Sequence, residues 1–139
     1  MKRIVITGLL VLSIATLLGL YLYHKPATGI KSKTAVVDMA VDELLYSYNQ
    51  NESQANAQFL GKVISVHGKV AGKEMDDKGN ISILLTASNQ SGFVNCLLDN
   101  GQKKEADGIA STDSVQVKGV CVGYLFPDVQ MNQCLVTRH

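Results

Sequence analysis

A mainly β fold, arranged as a small closed barrel of five strands, is predicted by three features of this 139-residue sequence. Short runs in which apolar and polar residues alternate recur through the second half of the chain, as expected of strands with one buried face. One longer run carries Gly68 and Gly72 on its apolar face, where a strand can bend and so belong to two sheets. Aromatic residues make up only 6% of the chain and tryptophan is absent, which suits a small β-rich core better than a large ligand cavity.

The alternation defines five predicted strands, which are separated by segments rich in turn-forming residues. In the first strand Ile64 and Val70 lie on the inward face, and His67, which alternates out of phase with them, is expected to face solvent. The five predicted strands are Phe59–Gly72, Ile81–Leu85, Phe93–Leu98, Val115–Cys121 and Val129–Val136.

Two helices accompany these strands in the prediction. Apolar residues from Val37 to Tyr48 recur at helical spacing, which predicts an N-terminal amphipathic helix ahead of the first strand. The segment Asp99–Asp113 is charged and loosely helical, and it predicts a short helix between the third and fourth strands.

A separate transmembrane helix is predicted at the N-terminus. Ile4–Tyr23 is a run of twenty residues without a charge, and about 20 residues are needed to cross the hydrocarbon core of a bilayer. The alternative is a cleaved signal peptide, for which Ala27–Gly29 offers a weak cleavage site. The predicted organisation is a short basic N-terminus at 1–3, a signal-anchor helix at 4–23, a linker at 24–36 and the barrel domain at 37–139.

The charge distribution bears on location and on partners. Residues 1–33 contain five basic residues and no acidic one, whereas the rest of the chain has eight basic and twelve acidic residues, a net charge of −4. A very short basic N-terminus favours a single-pass protein of the cytoplasmic membrane with its C-terminal domain outside the cytoplasm. A mildly acidic domain argues against a dedicated binder of nucleic-acid phosphates, which needs a basic groove.

Three strands, a helical insert and two more strands follow the order of the OB-fold, a five-stranded Greek-key barrel. A series of short motifs adds to this order: Asp42–Leu45, Asn51–Glu52, Ala55, Ala57, Phe59, Gly61–Lys62, Gly68–Val70, Val117–Gly119, Cys121–Tyr124 and Asn132–Cys134. In these motifs the chain resembles the anticodon-binding-like (tRNA_anti-like) OB-fold family of small bacterial membrane-anchored or secreted proteins, over roughly residues 38 to 137. The resemblance implies this fold and placement at the cell envelope, and it supplies no catalytic residues.

The candidate partner-binding residues lie in loops at the mouth of the predicted barrel. Tyr124, Leu125 and Phe126 form an apolar tip between the fourth and fifth strands, and exposed apolar tips often mark partner sites. The alternative is that Phe126 folds back and plugs the end of the barrel. The turn Met75–Asn80 is expected to be a neighbour of this tip, and it contributes two further candidates, Asp76 and Asp77.

The sequence favours a non-enzymatic protein, for which we expect neither a metal nor a cofactor. Asp76, Lys78 and Asn80 do not reproduce the ligand spacing of a calcium loop. The barrel domain offers only His67 and His139 as imidazole bases, and it has no Gly-x-Ser-x-Gly or His-x-Glu motif.

The predicted function is a membrane-anchored binding module that contacts a protein or a cell-envelope component through the loops at the barrel mouth. The alternative is a protein that binds single-stranded nucleic acid, an interpretation that rests on fold analogy. Binders of single strands stack bases on aromatic side chains, and Phe93 is the one aromatic residue on the predicted second and third strands.

Two of the three cysteines are candidates for a disulfide. If Pro127–Asp128 are the central residues of a two-residue turn, Cys121 and Cys134 stand opposite each other, with their Cα atoms about 4.5 Å apart. This separation is at the short edge of disulfide reach. The alternation places Cys134 out of phase with its strand, and a bulge near Asn132–Gln133 would reconcile the two patterns. Cys96 would then remain a free, buried thiol.

Overall fold

The structure is a computed structural model that describes residues 33–138 together with residues 13, 14, 16, 17 and 30. A single turn of 3₁₀ helix, Asn100–Gln102, directly precedes the helix Lys103–Asp107. The elements are β1 (Asp38–Ala40), α1 (Val41–Gln50), α2 (Glu52–Phe59), β2 (Val63–Met75), β3 (Ile81–Thr86), β4 (Phe93–Leu98), α3 (Lys103–Asp107), β5 (Ser114–Leu125) and β6 (Asp128–Arg138).

Five of the strands close into a barrel in the order β2-β3-β4-β6-β5, which is the strand order of an OB-fold. The barrel closes because β2 pairs antiparallel with β5 over Val63–Lys69 and with β3 over Lys69–Met75. The predictions of a closed five-stranded barrel and of one strand that serves both halves are confirmed. The short strand β1 was not predicted; it adds to the outside of the barrel, parallel to β2.

The two glycines predicted to bend β2 have different roles. The pairing register with β3 shifts between Val70 and Gly72, which places a bulge at this point. Gly68 instead permits the close approach of α1, because a Cβ added to Gly68 would lie 2.5 Å from Cγ2 of Val41. A Cβ added to Gly72 would meet no atom within 4 Å.

The helices α1 and α2 are separated by a single residue, Asn51. Asn51 has extended backbone angles, and its side-chain oxygen accepts a hydrogen bond from the backbone N–H of Gln54, so it caps the start of α2. As a consequence Phe59, which we predicted to begin the long strand, is the last residue of α2 and is buried. The predicted start of the first helix at Val37 is four residues too early, since Val37 precedes β1. The buried face of α1 comprises Val41, Leu44, Leu45 and Tyr48.

The end of the barrel that faces away from α1 and α2 is closed by α3 and the turn that follows it. Ala106 and Ile109 are buried there, and the ammonium of Lys73 donates a hydrogen bond of 2.9 Å to the carbonyl oxygen of Ala106. The interior between the two ends is filled by aliphatic and sulfur-containing side chains, which include Ile64, Val66, Val70, Ile83, Leu85, Val94, Cys96, Val115, Val117, Cys121, Val129, Met131 and Cys134.

The hairpin of β5 and β6 is longer than predicted, and its turn is shifted by one residue. Leu125 pairs with Asp128, so the central residues of the turn are Phe126 and Pro127, which are joined by a cis peptide bond. The predicted turn centred on Pro127–Asp128 is therefore wrong.

The bulge suggested near Asn132–Gln133 is confirmed. Along the β4–β6 pairing, Cys96 lies opposite Met131 but Leu98 lies opposite Cys134, so β6 contains one extra residue. Gln133 has a φ of +52°, which marks the position of the irregularity.

The pairing predicted for the cysteines is wrong. The shifted turn and two register changes place Cys121 opposite Met131, while the thiol of Cys134 faces Gly119. All three cysteines are buried free thiols in this structure. The Sγ atom of Cys121 is hydrogen-bonded to the hydroxyl of Tyr48 at 3.2 Å instead.

The predicted membrane span at 4–23 lies outside the described residues, except for residues 13, 14, 16 and 17, which are helical. No helix within the described part of the chain has the length and apolar character that crossing a membrane requires. The end of the predicted linker is part of the fold, since the backbone N–H of Val36 donates to the carbonyl oxygen of Val63 at 2.8 Å.

Candidate partner-binding site

The segment Tyr124–Phe126, called here the tip, is the end of the β5–β6 hairpin. Tyr124 connects the tip to the core, because its ring stacks on that of Tyr48 with the centroids 5.2 Å apart. The Tyr124 hydroxyl donates a 2.7 Å hydrogen bond to Oδ1 of Asn49, on α1. Phe126 then packs edge-on against Tyr124 at a centroid distance of 6.1 Å. The three aromatic rings form a series that runs from the core to solvent.

The outer part of the tip is open to solvent. Leu125 is 71% exposed and Phe126 is 82% exposed. The alternative in which Phe126 plugs the end of the barrel is therefore wrong, and Tyr48 and Phe59 of the two helices occupy the core near this end instead. Leu60, which is 48% exposed, lies beside Gly123 and extends the apolar surface. The loop that we predicted to be an apolar tip does present apolar side chains to solvent.

The turn of the tip is braced by the loop between β3 and β4. Asp128 accepts a 2.8 Å hydrogen bond from the backbone N–H of Phe93. Gly92 has a φ of +99°, and its Cα lies so close to Pro127 that an added Cβ would overlap the Pro127 carbonyl oxygen. Glycine is required at this position for both reasons.

The same loop is also attached to α1. The carboxylate of Asp42 accepts hydrogen bonds from the backbone N–H groups of Ser88 and Asn89, at 2.8 to 3.2 Å. Asn49, which already accepts from Tyr124, has its amide nitrogen 3.4 Å from Oε1 of Gln90. Helix, loop and tip thus form one connected unit, and the sequence pattern did not identify its supporting residues, because each bond joins segments that are distant in the chain.

Acidic groups lie near the tip. The pKa of the Tyr124 hydroxyl is raised by its partial burial and by the negative charges of Glu52 and Asp128. The pKa of Tyr48 is raised well above its ordinary value, first by burial and then by the hydrogen bond to Cys121. The surroundings of the tip therefore oppose a further negative charge.

The raised pKa of Tyr48 predicts a loss of stability at alkaline pH. Tyrosine ionises near pH 10 in the unfolded chain but only at higher pH in the folded protein. The contribution of neutral Tyr48 to the stability of the fold is therefore complete below about pH 10 and declines above it. The free energy of unfolding should fall by about 1.4 kcal/mol per pH unit for this residue. Urea denaturation between pH 8 and 11.5 measures the slope. The Tyr48→Phe variant should show a shallower slope, and an unchanged slope would contradict the assignment.

The Met75–Asn80 turn is not a neighbour of the tip, contrary to our expectation. It connects the start of β3 to β2, whereas the tip packs where β3 ends, and the six residues of β3 separate the two by about 17 Å. Asp76 is engaged within its own turn, where its carboxylate accepts from Asn80 and from the backbone of Lys78, and these bonds lower its pKa. Asp77 is exposed in the same turn.

The expected position of His67 is confirmed, since its side chain is 54% exposed and points away from the barrel core. Within the described residues, no group of three or more His, Cys, Asp or Glu side chains is arranged to hold a metal ion. The geometry of the tip contains no base beside a nucleophile, and what it can offer is an apolar contact surface.

The model of one protein family, tRNA_anti-like, matches residues 1–135 of this sequence. The chain belongs to the tRNA_anti-like family. The match covers the barrel almost completely and includes the tip. No curated protein matches the sequence.

Solved structures align with this tRNA_anti-like protein at low sequence identity. A lipoprotein of Klebsiella pneumoniae to which nucleic-acid binding has been ascribed aligns with a TM-score of 0.62 and 10% identity, over 82% of this chain and 100% of that one. Asparaginyl-tRNA synthetase from Pyrococcus horikoshii aligns with a TM-score of 0.43 and 17% identity over 58% of this chain. The enzyme from Entamoeba histolytica aligns with a TM-score of 0.48 and 16% identity over 76%. This chain spans only 21% and 23% of those two synthetases.

Proposed function

We propose that this tRNA_anti-like protein is a non-enzymatic binding module that contacts a protein partner at the cell envelope through its tip. The observation that carries the proposal is the exposure of Leu125 and Phe126. They lie at the end of a hairpin that is held by α1 on one side and by the loop between β3 and β4 on the other. Large apolar side chains in water are unfavourable, and burying one against a partner contributes about 1.5–3 kcal/mol. Because the tip is already held in place, little conformational entropy is lost on binding.

The chemistry of the surroundings favours a protein over an anionic partner. Glu52 and Asp128 lie close enough to influence the ionisation of Tyr124, and both would repel a phosphate backbone or an anionic lipid surface. Aromatic side chains surrounded by polar groups are typical of the central anchors in protein interfaces. We therefore place Phe126 at the centre of the contact, with Leu125 beside it.

The double variant Leu125→Ser, Phe126→Ser tests this proposal. We expect it to lose at least one protein adduct that forms when cells producing the full chain are treated with formaldehyde. Stability should change by less than about 0.5 kcal/mol, since both side chains are mostly exposed. The matched control is Met75→Ser, which removes an equally exposed apolar side chain (72%) at the opposite end of β3. An adduct pattern that is identical in all three proteins would reject the tip as the contact surface.

A second candidate function, the binding of single-stranded nucleic acid, is supported by the name given to the Klebsiella pneumoniae lipoprotein and by the series of aromatic rings that ends at Phe126. Each base stacked on an aromatic ring would contribute about 1–3 kcal/mol, and the affinity would decline steeply with salt. Titration of the purified full chain with a labelled 20-nucleotide single strand at low salt measures the affinity. Micromolar affinity that is lost in the Phe126→Ser variant would favour this candidate over a protein partner.

We also propose that residues 4–23 anchor the protein in the cytoplasmic membrane, with the barrel outside the cytoplasm. The uncharged run of twenty residues and the short basic N-terminus support this arrangement. Protease added to spheroplasts should remove the barrel while cytoplasmic proteins stay intact. Protection of the barrel in intact spheroplasts would reverse the proposed orientation.

A further inference from the structure

A pocket of about 630 Å³ lies on the barrel wall, and none of its lining residues belongs to the tip. It forms where β1 and β3 both end along β2, so that the outward side chains of β2 are left uncovered between them. His67 and Lys69 are two of these side chains, and Ser114 of β5 lines the same pocket. A pocket of this volume is within the range that binds small molecules.

One end of the pocket carries a fixed negative charge. The Oδ1 atom of Asp38 lies 3.5 Å from Nδ1 of His67, and Oδ2 accepts a 3.0 Å hydrogen bond from the side-chain amide of Gln116. The Gln116 amide also donates to Oγ of Ser65 at 2.9 Å. Contacts on both oxygens orient the Asp38 carboxylate and leave part of its charge available to a ligand.

The other end carries a positive charge. Lys69 lies opposite Thr86 of β3 on one side and opposite Ser114 of β5 on the other, so the three residues form one row across the sheet, and all three line the pocket. Lys69 makes no ion pair with any residue in the described part of the chain. An ammonium group and neighbouring hydroxyl groups can all donate hydrogen bonds to a bound carboxylate.

Asp42 and Ser88 also line the pocket, and Asp42 holds this part of its wall in place. Its carboxylate binds the backbone N–H groups of Ser88 and Asn89, which fixes the loop after β3 against α1. Asp42 keeps its negative charge while it makes these bonds, so the pocket is lined by two carboxylates, Asp38 and Asp42, and by the side chain of Lys69. Because the Asp42 oxygens already accept from the loop, Asp38 is the carboxylate that we assign to a ligand.

We propose that this pocket binds a small zwitterion, such as a free amino acid or a short peptide. The ligand's ammonium group would contact Asp38, and its carboxylate would contact Lys69 and the hydroxyl of Ser114. Asp38 lies opposite Ser65, and Lys69 is four residues further along β2. The backbone positions of the two charged residues are therefore about 13 Å apart along the strand, which leaves space between their side chains for one small molecule. The site is separate from the tip, and the inference does not depend on the function proposed for the tip.

Isothermal titration of the purified full chain in detergent tests the proposal. The probes are the twenty amino acids and dialanine, each at up to 10 mM, together with acetate and ethylamine, which carry only one of the two charges. We expect at least one zwitterion to bind, with at least tenfold higher affinity than either singly charged probe. Absence of binding by every zwitterion would overturn the proposal, as would binding of acetate or ethylamine with the same affinity as the best zwitterion.

Two variants locate the site, and a third serves as the control. Lys69→Met and Asp38→Asn should each weaken binding at least tenfold, and asparagine retains the carbonyl oxygen that accepts from Gln116. Lys78→Met removes an exposed lysine in the Met75–Asn80 turn and should leave the affinity unchanged. A bound zwitterion whose affinity is insensitive to Lys69→Met and Asp38→Asn would show that the site lies elsewhere on the protein.

Discussion

Replacing Gly92 by alanine is expected to lower the free energy of unfolding by roughly 3 kcal/mol. Two costs add: the φ of +99° is unfavourable for any residue with a Cβ, and the new methyl group would overlap the carbonyl oxygen of Pro127. The overlap is with backbone, which cannot rotate away as a side chain can. Relief therefore requires that the tip and the loop between β3 and β4 move apart.

Urea denaturation of the full chain measures this loss, with Gly101→Ala as the matched control. Gly101 has no atom within 4 Å of an added Cβ and does not have a positive φ, so its substitution should be nearly neutral. If Gly92→Ala is as stable as the wild-type protein, the contact between this loop and Pro127 is not as described. Because the variant separates the tip from its support, we also expect it to lose the protein adducts that depend on Phe126.

Replacing Gly68 by alanine is expected to cost about 2 kcal/mol, and the cost should depend on Val41. The added Cβ would lie 2.5 Å from Cγ2 of Val41, which is buried at the start of α1. Overpacking of this kind typically costs 1–3 kcal/mol, because the helix has to shift or the valine has to leave its preferred rotamer. Gly72→Ala is the control, since an added Cβ at Gly72 meets nothing within 4 Å.

A double-mutant cycle with Val41→Ala separates this contact from a general intolerance of alanine at Gly68. Val41→Ala removes the methyl group that would collide, so the substitution Gly68→Ala should be less destabilising in that background by at least 1 kcal/mol. Denaturation of the four proteins gives the coupling energy. A coupling energy near zero would indicate that Gly68 is needed for the path of β2 and not for the approach of α1.

The alternation of apolar residues was sufficient to predict the barrel. The inward-facing residues of the long strand, such as Ile64 and Val70, are buried as predicted. The bulge at Asn132–Gln133 was predicted from a break in the alternation of its strand. These features depend on the order of apolar and polar residues within one strand, which can be read directly from the sequence. The boundaries were less accurate, since Phe59 ends a helix whose start is fixed by the cap at Asn51.

The environment of the tip could be predicted only in part. The exposed pair Leu125 and Phe126 was recognisable as an apolar run beside a proline, but the register error of one residue at the turn misplaced Cys121 relative to Cys134. The support from Asp42 to the loop after β3 crosses more than forty residues of sequence, and no local pattern indicates it. Long-range polar contacts of this kind become visible only when the register of every strand is known.

We propose the tip as the surface that meets a partner, and photo-crosslinking from single positions is the decisive test of this proposal. A photoreactive phenylalanine analogue is placed at Phe126 or at Met75 of the full chain in living cells. We predict discrete protein adducts from Phe126 and none of the same mass from Met75, although both side chains are more than 70% exposed. Adducts of equal yield from both positions, or adducts from Met75 alone, would contradict the assignment of the tip as the binding surface.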